Sequence, residues 1–121
     1  MLGQDVNGGA VAEPNASDQA ARAEIVRRLG EAGFALPGTL LEHFHTCRNP
    51  NCRCMASPPQ PHGPYLRWTR KLDGKTVTQR LSREQFDLYR PWFEEARRLR
   101  TLLAELEALS LRVAQRGRDG L

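Results

Sequence analysis

CRNPNCRCMASPPQPHGPYLRWTRKLDGKTVTQRL, residues 47–81, divides into a cysteine-bearing half and a hairpin half. In the second half, Tyr65–Lys71 and Thr76–Leu81 flank Leu72-Asp73-Gly74-Lys75. Asp-Gly is a strong hairpin signal, because both central positions of a type I′ turn need positive φ. Leu66, Trp68 and Arg70 alternate with Tyr65, Arg67 and Thr69 in the first arm; Val77, Gln79 and Leu81 alternate with Thr76, Thr78 and Arg80 in the second. One face can therefore cover a core while the other presents arginines and threonines. The first half spaces Cys47, Cys52, Cys54 and His62 as C-x4-C-x-C-x7-H around Asn49, Pro50, Asn51 and a proline-rich run.

Outward from this segment, Thr39–Thr46 (TLLEHFHT) has the length and the β-branched and aromatic content of a third strand. A hairpin alone would be marginal. Further upstream, Ser17 can cap a helix from about Asp18 to Leu29, with Gly30 as a left-handed exit. Ala21, Ile25, Val26 and Leu29 give that helix one docking face, and Glu31–Gly38 reads as a loop. Downstream, Ser82 and Gln85 form a capping-box signature for a helix starting near Arg83. Pro91 predicts either a kink near Tyr89–Pro91 or a short helix followed by a long one. From Trp92, apolar positions recur in steps of four and three through Ala96, Leu99, Leu103, Leu106, Ser110 and Val113. This is the spacing of a coiled-coil seam of about three heptads, and equally that of a stripe covering the domain's own sheet.

The expected fold is α+β: a small three-stranded antiparallel sheet with a zinc-knuckle-like loop, one N-terminal helix and a long C-terminal helix. The expected boundaries are a disordered tail at 1–16, a helix and Cys/His β domain at 17–82, a helical region at 83–116 and a frayed end at 117–121.

With 121 residues, 40% of them hydrophobic, the chain has room for one small core and gains from a metal or a partner. No 18-residue apolar run and no signal-peptide pattern is present, so neither a membrane span nor secretion is expected. Three cysteines leave one unpaired in any disulfide scheme, which points to reduced thiols and a cytoplasmic location. Charge is uneven. Residues 47–83 hold Arg48, Arg53, Arg67, Arg70, Lys71, Lys75, Arg80 and Arg83 against Asp73 alone, whereas residues 1–46 are net acidic and residues 84–121 balance. A basic middle of this kind suits a polyanion contacted at one place.

Three thiolates and one imidazole are the donor set of a structural zinc site, Cys47, Cys52, Cys54 and His62. The turn residues between Cys47 and Cys52 let both thiolates face one point, and Arg48 and Arg53 favour the thiolate form. Four protein ligands leave no position for a catalytic water. His43 and His45 stand just before Cys47 and compete with His62 for the fourth place.

G-T-L at 38–40, C-R-N-P-N-C-R-C at 47–54, H-G-P-Y at 62–65 and D-G-K-T at 73–76, followed by a basic helix, resemble a family of small bacterial proteins of unknown function. Its members are commonly encoded beside transposases and integrases. The resemblance spans about residues 38–110 and is most specific in the cysteine–histidine segment. Arg48 and Asn49 stand where the family often has Gly-Lys, and Pro91 is a further departure. The resemblance implies a metal site and a mobile-element context, without a mechanism.

Two functions compete. In the first, the protein is a zinc-stabilised accessory protein whose Arg67, Arg70, Lys71, Lys75 and Arg80 contact nucleic acid, DNA being favoured over RNA. In the second, Trp92, Leu99, Leu103, Leu106 and Val113 pair with a second copy or with a recombinase or transposase, without nucleic-acid contact. An enzyme is not expected: no phosphate-binding glycine loop, H-E-x-x-H or serine elbow occurs.

Overall fold

The computed structural model describes residues 11–119 as two helices and a three-stranded antiparallel sheet, an α+β arrangement. In chain order these are α1 (Ala16–Leu29), β1 (Thr39–His45), a 3-10 turn (Arg53–Met55), β2 (His62–Leu72), β3 (Lys75–Arg80) and α2 (Arg83–Asp119). Most of the tail expected to be disordered, residues 1–10, and the last two residues of the expected frayed end lie outside the described residues. No described helix is long and apolar enough to cross a membrane.

The chain forms two compact units: Gly33–Ala96, and the preceding segment through Ala32 together with the segment from Arg97 onward. The first contains the sheet, in order β1-β2-β3. Its hairpin closes through Asp73 (φ 51°) and Gly74 (φ 79°), the double positive-φ turn that Asp-Gly encodes. The register pairs Arg67 with Arg80, Trp68 with Gln79 and Arg70 with Val77, so the sequence alternation does separate two faces. On one face Leu66, Leu81 and Phe86 are buried, with Leu40, Trp68 and Tyr89 packed against them. On the other, Thr39, Leu41, Arg67, Lys71, Thr76, Thr78 and Arg80 are all exposed.

α2 begins at Arg83 behind the expected capping box: Ser82 Oγ accepts from Gln85 N–H at 3.1 Å, and Gln85 Oε1 accepts from Ser82 N–H at 2.9 Å. It does not break at Pro91. Proline removes the bond to the Asp87 carbonyl, a cost of about 3 kcal/mol. Packing on the residues beside it offsets that loss. Tyr89, Trp92 and Phe93 bracket the proline; Phe93 meets Trp68 edge-on at 5.9 Å, and Trp92 packs against Phe34 at 5.3 Å. Leu36 N–H also donates to the Trp92 carbonyl at 3.0 Å.

In the second unit, α1 is capped by Asn15 and not by Ser17: Asn15 Oδ1 accepts from Asp18 N–H and Asp18 returns a bond to Asn15 N–H, both at 2.8 Å. Asn-x-x-Asp satisfies two otherwise orphaned donors at once, which a lone Ser17 would not. Gly30 is right-handed at φ −67°, not left-handed. The chain leaves α1 instead through tight bonds from Glu31 and Ala32 to Arg28 and Leu29. Ile25 and Leu29 are half-buried, while Ala21 and Val26 stay exposed. Arg116 pairs with Asp18, and Arg98 donates to the Arg28 carbonyl at 3.3 Å. Leu102 and Leu109 are the buried leucines of α2 here.

Candidate metal centre and basic sheet face

Between β1 and β2 the chain folds back on itself through short local bonds. Asn49 Oδ1 accepts from Asn51 N–H, and the Asn49 carbonyl from Cys52 N–H, both at 3.0 Å. This tight turn carries Cys52 back toward Cys47. The 3-10 turn at Arg53–Met55 then brings Cys54 inward, where it is 1% exposed.

β1 and β2 are out of simple register near this loop. His43 pairs with Tyr65, but His45 pairs with His62, so Gly63 and Pro64 together oppose Phe44. The extra residue is a β-bulge, which re-aims the side chain beyond it. In an unbroken pleat His62 and Tyr65 would face opposite ways; here the His62 ring reaches His45, whose own ring stacks on Tyr65 at 4.9 Å. Gly63 makes the bulge possible. Its φ is 125°, and a side chain there would meet the His43 carbonyl at 2.8 Å.

The result is a single cluster of four donor atoms, one each from Cys47, Cys52, Cys54 and His62, all within 4.8 Å of one another. Cys47 Sγ lies 3.4 Å from Cys54 Sγ, and Cys52 Sγ lies 3.1 Å from His62 Nε2. Metal–sulfur bonds of ~2.3 Å and metal–nitrogen bonds of ~2.0 Å would set tetrahedral neighbours roughly 3.5–3.8 Å apart, so the four need move only slightly to hold an ion. Cys47 N–H donates to Cys54 Sγ at 3.3 Å, the kind of bond that steadies a thiolate ligand.

Two thiols diverge in acidity. Cys52 is pushed down to about 6, first by the backbone N–H of Cys54, then by the thiols of Cys54 and Cys47. Burial pushes Cys54 up. The competition among histidines resolves to His62. His43 and His45 lie outside the cluster and instead continue a row of rings, with His43 against Tyr65 at 5.4 Å and His45 against His62 at 5.5 Å. This row braces the His62 imidazole. The sequence hides it because it needs the bulge register.

The five expected basic contacts are divided by the sheet. Arg67 and Arg80 are direct cross-strand neighbours on the exposed face, with Lys71 opposite Thr76 on the same side. Arg70 is on the core side, its guanidinium 3.9 Å over the Trp68 ring and bonded to Gln79 Oε1 at 3.3 Å. Lys75 is the first residue after the turn. Of the apolar stripe, Trp92 packs against Phe34 and Tyr89. Leu99, Leu106 and Val113 are half-buried, and Leu103 is 51% exposed.

A family model described as Domain of unknown function (DUF6788) matches residues 18–91, from the first turn of α1 to Pro91 and across the whole sheet and cysteine cluster. The chain belongs to the DUF6788 family. The match begins twenty residues earlier than the resemblance read from the motifs and ends inside α2. Comparison with curated proteins and with solved structures finds no match. For this member of DUF6788, function is read from its own geometry.

Proposed function

We propose that this DUF6788 protein is a zinc-clasped nucleic-acid-binding accessory module, cytoplasmic and non-catalytic, whose exposed sheet face grips the phosphate backbone. The observation that carries the reading is the Arg67–Arg80 pair. Like charges directly opposite on neighbouring strands destabilise a sheet, and among the described residues neither arginine has a carboxylate within ion-pair distance. A local conflict of this kind marks a functional site, and a bound polyanion relieves it. Three thiolates with an imidazole favour zinc, and four protein donors close its coordination, so the ion serves the fold. DNA is favoured over RNA because the hairpin end beyond β1, with Lys71 and Lys75, is a two-stranded ribbon that fits the major groove of B-form DNA, while the deep, narrow groove of A-form RNA excludes it. The resemblance to proteins encoded beside transposases and integrases supports a role in a mobile element.

Fluorescence anisotropy with a labelled DNA duplex across a salt series tests this. Binding should weaken steeply with salt, and Arg67→Glu with Arg80→Glu should abolish it at moderate salt while Arg70→Gln keeps most of it. Every phosphate that a variant leaves unneutralised lowers the log–log salt slope by about 0.9. Equal binding by wild type and the double variant would refute the reading.

Leu103, 51% exposed on the apolar stripe, supports a second reading, in which α2 recruits a second copy or a recombinase. A Leu103→Glu variant that loses self-association or partner capture in sedimentation, with DNA binding intact, would favour it.

A further inference from the structure

A cleft of about 640 Å³ opens between the cysteine loop and the end of the sheet, lined by Arg53, His62, Gly63, Pro64, Tyr65, Leu66, Arg80, Leu81 and Arg83. Three arginines converge on it from three different elements. Arg83 is already tethered, to Glu42 at 3.4 Å and to Asp87 at 3.6 Å. Arg53 and Arg80 have no carboxylate partner among the described residues. The Arg80 guanidinium lies 5.9 Å from the centre of the Tyr65 ring, and the Leu66 and Leu81 pair, which joins β2 to the end of β3, closes the inner side, Leu81 N–H donating to the Leu66 carbonyl at 2.8 Å. Cationic walls and one aromatic ring in a cleft of ligand size suit a small anionic group that carries a flat ring.

We infer that this cleft takes one unpaired nucleotide of a single strand, its phosphate between Arg53 and Arg80 and its base against Tyr65. The inference deepens the nucleic-acid reading above and rests on it. Duplex phosphates lie on a convex, stacked rod and can reach the exposed Arg67 and Lys71, but their paired bases cannot leave the stack to enter the cleft. An unpaired nucleotide can, because its base is free to leave the strand and stack on an aromatic ring. Arg53 sits between the ligands Cys52 and Cys54, so the same clasp that fixes the loop fixes one wall of the pocket.

The test compares a 20-nucleotide oligothymidylate with a blunt 20-base-pair duplex, on the metal-loaded full chain, by anisotropy at one salt concentration. Wild type should bind the single strand about tenfold more tightly, the gain expected of one stacked base. Arg53→Ala and Tyr65→Leu should each erase that preference without weakening duplex binding, and Tyr65→Phe should keep it. Absorption of the cobalt-substituted variants confirms that the centre is intact, and Arg53→Ala alone decides the matter if Tyr65→Leu fails to fold. Equal binding of both probes by wild type, or a preference that survives Arg53→Ala, overturns the pocket and leaves the sheet-face reading standing. Binding of neither probe overturns both.

Discussion

Stripping the metal should cost the Gly33–Ala96 unit more stability than truncating any one exposed side chain. The large apolar side chains buried in that unit are Leu66, Leu81, Phe86 and Phe93, each contributing about 1.5–3 kcal/mol through burial. An ion held at roughly a thousandfold above its Kd contributes about 4.1 kcal/mol by mass action, the worth of roughly one and a half to three of those four. At ~4–8 °C per kcal/mol for a unit of this size, removing it lowers Tm by roughly 16–33 °C. Thermal melts followed by circular dichroism, with and without a zinc chelator, measure this directly. Cys54→Ala should melt near the chelated wild type and respond no further to chelator, because the fully buried sulfur is the ligand that water cannot replace. A chelator shift below about 5 °C, the worth of a single kcal/mol, would refute the idea that the ion supports the fold.

Three further outcomes are expected. In the metal-free protein at pH 7, iodoacetamide should label Cys52 first and Cys54 last, read by peptide mass spectrometry; Cys52, held at about 6, is mostly thiolate there, whereas burial keeps Cys54 protonated. Pro91→Ala should raise Tm and helical ellipticity by restoring the bond to the Asp87 carbonyl, up to about 3 kcal/mol, and a lower Tm would show that the proline is needed where it stands. Asp18 lies below its ordinary value of 3.8, first through the Asn15 backbone N–H and then through Arg116. Its stabilisation is therefore complete above 3.8 and lost as pH falls through the lower folded value; Asp18→Asn should flatten the acid limb of a pH–stability curve, and an unchanged limb would remove Asp18 from that account.

The hairpin is readable from sequence because a period of two fixes which residues share a face, and Asp73-Gly74 fixes the register. The donor set is readable because thiols crowd nowhere else in the chain. What is not readable depends on one residue of slippage. Gly63-Pro64 resembles a loop, yet it is a bulge inside β2, and only that bulge turns His62 toward the cysteines and stacks His45 on Tyr65. Arg70 lies in a basic run, and composition alone assigns it to phosphate. Its register opposite Val77 puts it beside Trp68, where the guanidinium serves packing. At α1, Ser17 has the chemistry of a good cap, but the reciprocal Asn15–Asp18 pair satisfies more backbone donors.

The bulge also explains why clasp and charged surface belong to one device. β2 begins at His62, one of the four donors of the candidate metal cluster, bends at Gly63-Pro64, and within three further residues presents Tyr65 and Arg67. The sheet is held chiefly by its apolar face against Phe86 and Tyr89 of α2, and the Arg67–Arg80 opposition on its other face weakens it locally. A metal bond to His62, the first residue of the central strand, would anchor that strand at the end where the repulsion acts, distant from the turn. The Asp73-Gly74 turn anchors the other end. A sheet pinned at both ends holds two unneutralised arginines side by side at lower cost than one free to fray, and that is the physical case for proposing that the metal supports the basic surface.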